Sequence, residues 1–94
     1  MQFLILANDA TDEGALERRM SVRQQHLDAL KPLVDAGRVE IGGVILDDEG
    51  TIRGSMLVVE AEDEASVRAL VEQDIYVREN VWGDVQIRPF RRSV

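Results

Sequence analysis

Apolar residues along this chain follow two spacings, and the order of those spacings restricts the folds that the chain can adopt. Continuous or alternating apolar residues, typical of β-strands, occupy residues 2–8, 39–46, 53–61 and 81–90. Apolar residues three or four positions apart, typical of amphipathic helices, fill the first and the last of the intervals between these runs. The predicted order is therefore β-α-β-β-α-β, the split-βαβ order of a ferredoxin-like α+β fold.

The first predicted helix carries signals at both of its ends. Thr11 and Asp12 are candidate N-caps, and Gly37 supplies a stop. Pro32 lies close to that stop and cannot donate a hydrogen bond to the carbonyl of Asp28. The last turn of the helix is therefore expected to bend or to break off as a separate turn.

The apolar residues of each predicted helix indicate which face packs on the sheet. In the first helix, Arg23 takes the one position of the apolar stripe that is not apolar. The other positions of that stripe are Leu16, Met20, Leu27, Leu30 and Val34. The second helix follows Asp63, a favourable N-cap, and its apolar residues are Ala65, Val67, Ala69, Leu70 and Val71.

In this fold two helices cover one face of a four-stranded antiparallel sheet and leave the other face open. The first and third predicted strands are apolar on both faces, so the open face of the sheet cannot be polar. A large exposed apolar patch is a liability in a monomer. Pairing two sheets face to face buries the patch with closed two-fold symmetry, and the sequence therefore predicts a homodimer.

Length and charge narrow the functional classes. Ninety-four residues fit one domain, which we expect to span residues 1–94. Asp and Glu total 18 against 11 for Lys and Arg, a balance opposite to the basic footprint of a nucleic-acid-binding protein. No apolar run approaches the roughly 20 residues of a membrane-spanning helix, so no membrane association is expected.

The chain contains no cysteine and a single histidine. The lack of cysteine excludes disulfides, thiolate nucleophiles and Cys-ligated zinc, and it is compatible with a reducing cytoplasm. The first residues lack the basic segment of a secretory signal, so a cytoplasmic location is expected. With one histidine and no glycine-rich phosphate loop, the sequence provides neither a transition-metal site nor a nucleotide site. We therefore expect no metal and no cofactor.

His26 is the only histidine, and it lies within the first predicted helix beside the apolar stripe. Imidazoles titrate near neutral pH, which suits general acid–base catalysis. Asp74 opens the segment after the second helix, and its carboxylate could orient the imidazole and stabilise its charged form. The alternatives are structural: a hydrogen-bonded helix histidine, and a cap for the turn that begins at Ile75.

Arg19 and Arg23 lie four residues apart, on the same helix face as His26. The planar guanidinium group binds carboxylates and phosphates, so these side chains could hold an anionic substrate beside the base. The alternative is ion pairing with the acidic residues near the start of the helix.

Ser55, Tyr76 and Trp82 complete the polar and aromatic candidates. Ser55 places a hydroxyl within an apolar strand, either to bind a ligand or as a small polar filler. Tyr76 and Trp82 are the only large amphipathic rings, and they either line a pocket or pack at a dimer contact. Gly42 and Gly43 lie in a strand, where backbone can approach a ligand or another strand closely.

Short motifs follow one another in a fixed order along nearly the whole chain. They are Arg19-Met20-Ser21-Val22-Arg23, His26-Leu27, Gly37-Arg38, Gly42-Gly43, Gly54-Ser55, Asp74-Ile75-Tyr76-Val77 and Val85-Gln86-Ile87-Arg88-Pro89-Phe90. This ordered set resembles the YciI-like (YCII-related) family. The resemblance implies a dimeric α+β barrel built from ferredoxin-like protomers, similar in fold to muconolactone isomerases and a chlorohydroxyquinol dehydrochlorinase.

The same resemblance implies a His–Asp pair in a pocket near the sheet, with His26 and Asp74 in those two positions. One departure concerns the backbone that presents the aspartate. The family's usual Asp-Pro-Tyr is Asp74-Ile75-Tyr76 here, so the conformation around Asp74 is less pre-set by proline.

These observations favour a cofactor-independent lyase or isomerase that transfers a proton on a small anionic or phenolic molecule. His26 and Asp74 are the predicted catalytic pair. Four residues are predicted to bind the substrate: Arg19, Arg23, Ser55 and Tyr76. The alternative is a non-catalytic dimeric module, either ligand-binding or accessory. The expected partners are a second copy of the chain and a small molecule.

Overall fold

A computed structural model describes all 94 residues of the chain. Four strands and two longer helices follow the predicted order, and a one-turn helix precedes the last strand. The elements are β1 (Gln2–Asp9), α1 (Ala15–Asp35), β2 (Val39–Leu46), β3 (Ile52–Glu60), α2 (Glu64–Gln73), α3 (Ile75–Arg78) and β4 (Trp82–Phe90).

The four strands form one antiparallel sheet in the order β2-β3-β1-β4. This order confirms the ferredoxin-like βαββαβ prediction, because β1 and β3 lie in the centre and each helix connects a central strand to an edge strand. The core side chains of β1 are Phe3, Ile5 and Ala7, and they pack with residues of both longer helices, including Leu30 and Val67.

The opposite face of the sheet carries the apolar residues that no helix covers. Register pairs Leu4 with Val58 and Leu6 with Met56 on that face, and it pairs Ile41 of β2 with Val58. On β4 the same face is polar, with Asp84, Gln86 and Arg88. We call the group Leu4, Leu6, Ile41, Met56 and Val58 the open apolar face. The predicted apolar character of the open side is therefore present on three of the four strands.

The start of α1 differs from the prediction. The helix begins at Ala15 with Gly14 in the N-cap position, and no side chain caps it. Neither Thr11 nor Asp12 is the N-cap, because Asp12 lies two residues further back and binds Arg18 instead. The guanidinium of Arg18 also holds the pKa of the Asp12 carboxyl well below its usual value, at about 2.

The end of α1 differs in one respect as well. The helix runs through Pro32 to Asp35 and does not break off as a separate turn. Pro32 lacks only its own donor, and its carbonyl still accepts a hydrogen bond of 3.0 Å from Ala36, so the ladder resumes beyond it. Gly37 follows with a positive φ of 75°, as expected for the residue after a helix end.

The buried face of α1 is rotated relative to the predicted stripe. Leu16, Met20, Leu27 and Val34 are exposed. The face that packs on the sheet consists of Ala15, Arg19, His26 and Leu30, with Val22 and Leu33 partly buried beside them. The predicted stripe was right at Leu30 and wrong at its other four apolar positions. Two polar side chains are buried on this face with hydrogen-bond partners, which removes the usual cost of burying them.

The cap predicted for α2 is confirmed. Asp63 accepts a hydrogen bond of 2.8 Å from the backbone nitrogen of Ser66, and Val67 and Val71 are buried on the following turns. No helix of the protein is both long enough and apolar enough to cross a membrane.

Candidate functional site

His26 and Asp74 are in direct contact. Nδ1 of His26 lies 2.8 Å from Oδ1 of Asp74, and both side chains are more than nine-tenths buried. α1 supplies the histidine from its sheet-facing side, and the junction between α2 and α3 supplies the aspartate. The two residues that the sequence predicted as a pair are therefore brought together by the fold.

The local backbone conformation explains how Asp74, a residue type usually found at the surface, directs its carboxylate toward the buried imidazole of His26. Asp74 is the N-cap of α3, and its Oδ1 also accepts a hydrogen bond of 2.9 Å from the backbone nitrogen of Tyr76. The carboxylate thus caps the turn and binds the imidazole with the same oxygen. Ile75 takes the first helical position, where proline is generally favoured, and the cap bond holds the backbone there without one.

The contact fixes the chemistry of the imidazole. A carboxylate only accepts hydrogen bonds, so Nδ1 of His26 carries the proton and donates it to Asp74. In the neutral form of the ring, Nε2 holds a lone pair and can accept a proton. A carboxylate at Nδ1 also stabilises the imidazolium that forms afterwards.

Two aromatic rings enclose the imidazole. The ring of Tyr76 stacks on that of His26 with centroids 3.9 Å apart, and Trp82 meets it edge-on at 5.7 Å. Both aromatic side chains are almost completely buried within the protomer. A role for Tyr76 and Trp82 in packing at a dimer contact is therefore wrong, because their rings pack around the histidine instead.

The hydroxyl of Tyr76 stays protonated in this environment. Burial raises the pKa of Tyr76 above its usual value of 10, and the nearby charge of Arg19 and Arg23 opposes that rise only in part. The hydroxyl makes no hydrogen bond to the protein, so it is a free donor at the site.

Arg19 is buried and already paired. Its Nε and Nη2 donate to the two carboxylate oxygens of Asp9 at 2.8 and 2.9 Å, and Nη2 also donates to Oγ of Ser55 at 2.6 Å. The guanidinium carbon lies 4.8 Å from the centroid of the Tyr76 ring. Arg19 is therefore ion-paired, as its alternative held, but its partner is Asp9 of β1 and not an acidic residue near the start of α1.

Arg23 differs from Arg19 in both burial and pairing. Its side chain is exposed and takes part in no salt bridge. A cationic fork without a carboxylate partner remains free to bind an anion. Of the two arginines, Arg23 is the one whose charge is not already balanced by the protein.

Ser55 lies within the same buried cluster, on β3. Its Oγ accepts hydrogen bonds from Nη2 of Arg19 at 2.6 Å and from Nε1 of Trp82 at 3.0 Å. The hydroxyl therefore accepts hydrogen bonds from two side chains on different elements. A small polar residue that only filled space would not make these bonds.

A cleft of about 580 Å³ opens between α1 and the β2–β3 hairpin. His26, Arg19, Ser55 and Tyr76 form its buried polar lining, and Arg23 lines it from an exposed position. The apolar side chains of the lining are Leu27, Leu30, Val34, Val39, Val44 and Leu57. This space, which we call the α1 cleft, thus combines a buried polar end at the histidine with apolar side chains that suit a ring. Further polar side chains of α1 also line it: Gln24, Asp28, Lys31 and Asp35.

Gly42 lies close to Leu57 in one wall of the α1 cleft, because it has no side chain. A Cβ atom at this position would lie 2.6 Å from Cδ2 of Leu57, too close for the present packing. Gly43 behaves differently, since a Cβ atom there would meet nothing within 4 Å. The close backbone approach predicted for the pair applies to Gly42, and its partner is a side chain of the neighbouring strand.

Two residues of the cluster are absent from the predicted site residues, Asp9 and Trp82. Asp9 ends β1, and its side chain is buried against Arg19. An aspartate at the end of an apolar strand could have indicated Asp9 as a site residue, because a buried carboxylate needs a cationic partner. Three or more His, Asp or Glu side chains do not converge anywhere in the protein.

The profile of the YCII-related domain matches residues 1–91. The chain belongs to the YCII-related family. The protein YciI of Escherichia coli O6:H1 is 35% identical to it over 98 residues, and the match covers 98% of each chain.

Two solved structures of similar proteins agree with the fold of this YCII-related chain. One is the 5-chloro-2-hydroxyhydroquinone dehydrochlorinase of Burkholderia phenoliruptrix AC1100, solved in complex with 2,5-dihydroxybenzoquinone. Its TM-score is 0.85 and its sequence identity 28%, and the match covers 99% of this chain and 96% of that chain. A dimeric ferredoxin-like protein from Jannaschia sp. CCS1 has a TM-score of 0.54 and 14% identity, with 97% and 98% covered, and shows the fold alone.

Proposed function

We propose that this YCII-related protein is a cofactor-independent lyase or isomerase that transfers a proton on a small anionic or phenolic molecule bound in the α1 cleft. The observation that carries the proposal is the buried contact of 2.8 Å between His26 and Asp74 at the polar end of that cleft. A base held in one tautomer, beside a space of ligand size, is the arrangement that proton transfer requires.

In the proposed reaction, Nε2 of His26 takes a proton from an O–H or C–H group of the substrate. The electron pair of the broken bond stays on the substrate and collects on an oxygen conjugated with it. Asp74 stabilises the imidazolium through the hydrogen bond at Nδ1. A lyase completes the reaction when those electrons expel a leaving group as an anion, and an isomerase when His26 returns the proton at another atom.

The binding roles divide between the two arginines. Arg23, exposed and without a carboxylate partner, would hold an anionic group of the substrate at the mouth of the cleft. Arg19, paired with Asp9, would act on the substrate mainly through Ser55 and Tyr76. Ser55 and Tyr76 themselves line the cleft and would contact the substrate directly.

The structural similarity to a dehydrochlorinase supports the lyase form of this proposal. That enzyme is a 5-chloro-2-hydroxyhydroquinone dehydrochlorinase, and net loss of hydrogen chloride from a ring requires removal of a proton as well as of chloride. The apolar side chains of the α1 cleft and the buried polar groups beside His26 suit a flat, hydroxylated ring of this size.

The test is turnover of 5-chloro-2-hydroxyhydroquinone and related halogenated hydroxyquinols, followed by release of halide. The wild-type protein is expected to release halide, and His26→Gln to lose at least about a hundredfold in rate, since general acid–base catalysis contributes roughly 10²–10⁴-fold. Asp48→Asn, in the exposed turn between β2 and β3, is the matched control. Saturable binding without turnover of any compound would instead favour a non-catalytic ligand-binding module.

We further propose that the protein is a cytoplasmic homodimer joined through the open apolar face. Four of its five apolar side chains are exposed or partly exposed in the protomer, with Val58 already buried, and two-fold pairing of the sheets would bury those four. The Jannaschia protein of the same fold is described as dimeric.

A further inference from the structure

The hydrogen bonds of Ser55 determine what its hydroxyl can still do. A hydroxyl oxygen accepts at most two hydrogen bonds and donates one. Here Nη2 of Arg19 and Nε1 of Trp82 occupy the two acceptor positions, at 2.6 and 3.0 Å. Neither of those groups can accept in return, because guanidinium and indole nitrogens are donors only. The remaining function of the Ser55 hydroxyl is therefore donation.

The protein supplies no acceptor for that proton. Oγ of Ser55 is the acceptor in both of its hydrogen bonds. The side chain is 5% exposed and lines the α1 cleft, so a ligand bound in that cleft is in a position to accept its proton. A buried donor with no protein partner is costly to leave unpaired, which makes it a recognition group for a ligand.

We infer that Ser55 is a substrate-contacting donor that stabilises negative charge on a substrate oxygen while His26 removes the proton. This inference rests on the proposed proton transfer and adds its electrostatic partner. The hydroxyl is polarised because one of the groups bound to its oxygen is a guanidinium cation, and hydrogen bonds in a chain strengthen one another. The arrangement acts as an oxyanion site built from one side chain held by two others.

The position of Ser55 relative to the base fits this role. Trp82 contacts both groups: its Nε1 donates to Ser55, and its ring meets that of His26 edge-on at 5.7 Å. Ser55 and His26 also line the same cleft. A flat ring in the cleft can thus present a proton to Nε2 of His26 and an oxygen to Ser55 at the same time.

The inference defines the substrate class. The group that faces Ser55 must accept a hydrogen bond, as a carbonyl oxygen or a phenolate does. An ammonium group at the same place has no lone pair, and it would bring a third donor to an oxygen whose lone pairs are both occupied. The substrates that fit are therefore enolisable carbonyl compounds, quinones and phenols, and ammonium groups are excluded at this position.

The test uses 2,5-dihydroxybenzoquinone as the probe, because its colour reports whether its hydroxyl groups are ionised. The dissociation constants of the ionised and the neutral probe are measured across a pH series with wild-type protein and with Ser55→Ala. We expect Ser55→Ala to weaken binding of the ionised form by about tenfold to a hundredfold, the range for hydrogen bonds to charged groups, and binding of the neutral form by much less.

Two further variants keep the test decisive. Trp82→Phe retains an aromatic ring but removes the indole donor, which frees one acceptor position of Ser55. The preference for the ionised probe is therefore expected to fall by a smaller factor than in Ser55→Ala. This variant also tests the inference if Ser55→Ala does not fold. Ser21→Ala removes an exposed hydroxyl of α1 that bonds to the carbonyl of Arg18, and it should leave both constants unchanged.

The outcomes separate the inference from the proposed function. An unchanged preference for the ionised probe in Ser55→Ala, or in Trp82→Phe where the first does not fold, overturns the role of Ser55 and leaves the proton transfer by His26 standing. Absence of saturable binding to the wild-type protein overturns both.

Discussion

His26 and Asp74 are separated by 48 positions in the chain, and yet Nδ1 of the first lies 2.8 Å from Oδ1 of the second. The contact joins the middle of α1 to the turn that starts α3. Because the same oxygen of Asp74 also caps α3 through the backbone nitrogen of Tyr76, the orientation of the base depends on the conformation of a single turn.

Replacing Asp74 by Asn tests this dependence. An amide keeps the size of the side chain but removes the negative charge that stabilises the imidazolium. With a substrate identified by halide release, we expect kcat/KM to fall by about tenfold to a hundredfold, corresponding to the roughly 1.5–3 kcal/mol of a hydrogen bond to a charged group. Asp48→Asn, which changes the same charge in an exposed turn, should retain the wild-type value. Equal rates for Asp74→Asn and wild type would contradict the role of the pair.

The two arginines of α1 should respond differently to substitution. Arg19→Gln leaves the buried carboxylate of Asp9 without its cation, and we expect a loss of about 3 kcal/mol in the free energy of unfolding. Arg23→Gln changes an exposed, unpaired side chain and should cost less than about 0.5 kcal/mol, while it weakens binding of an anionic ligand. Urea unfolding and ligand titration of both variants make the comparison, and a reversed order of the stability losses would refute it.

The homodimer is tested on the open apolar face. Ile41 is 57% exposed in the protomer, so Ile41→Lys should change the stability of the isolated protomer little. In the face-to-face dimer the same lysine would be buried without a partner, and we expect dissociation to monomers in sedimentation experiments. Met20→Lys, at a similarly exposed position on α1, should remain dimeric. A wild-type protein that sediments as a monomer would remove the basis for the proposal.

The alkaline titration of Tyr76 tests the burial of the site. This residue is the only tyrosine, so the ultraviolet absorbance of tyrosinate reports it alone. Because burial raises the pKa of its hydroxyl above 10, the midpoint should lie above that value in the folded protein. The raised pKa adds stability that is fully present below pH 10 and is lost as the pH rises through the folded-state pKa.

The charge of Arg23 lowers the pKa of Tyr76, so Arg23→Gln should move this midpoint further upward. A midpoint at or below 10 while the circular dichroism spectrum remains native would show that the ring is open to water, against the structure.

Local sequence signals were sufficient for the strands, the order of the elements along the chain and the cap at Asp63, because each depends on spacing or on one side chain near the backbone. The same signals predicted the wrong face for α1. Leu16 and Met20 are apolar and exposed, whereas Arg19 and His26 are polar and buried. Hydrophobicity alone cannot assign that face, because the buried polar residues depend on partners supplied by distant strands and turns.

The candidate site divides in the same way. His26 and Asp74 could be named from residue type and from the family resemblance, but their contact depends on the packing of α1 against α3. Asp9 could not be assigned, because its importance lies entirely in a partner ten residues later on the next element. The two donors that converge on Ser55 come from α1 and β4, and no spacing in the sequence indicates that they meet.

The most direct test of proton transfer by His26 is nitrogen NMR of its imidazole, the only one in the chain, during a titration with 2,5-dihydroxybenzoquinone. Before addition, the spectrum should show the proton on Nδ1, as the bond to Asp74 requires. On saturation, the Nε2 signal should move to that of a protonated nitrogen, because the negative charge of the bound probe favours the imidazolium, whose proton comes from a probe hydroxyl or, where the probe binds already ionised, from solvent. Saturable binding that leaves both nitrogen signals unchanged, or no binding at all, would contradict the assignment of His26 as the base of the α1 cleft.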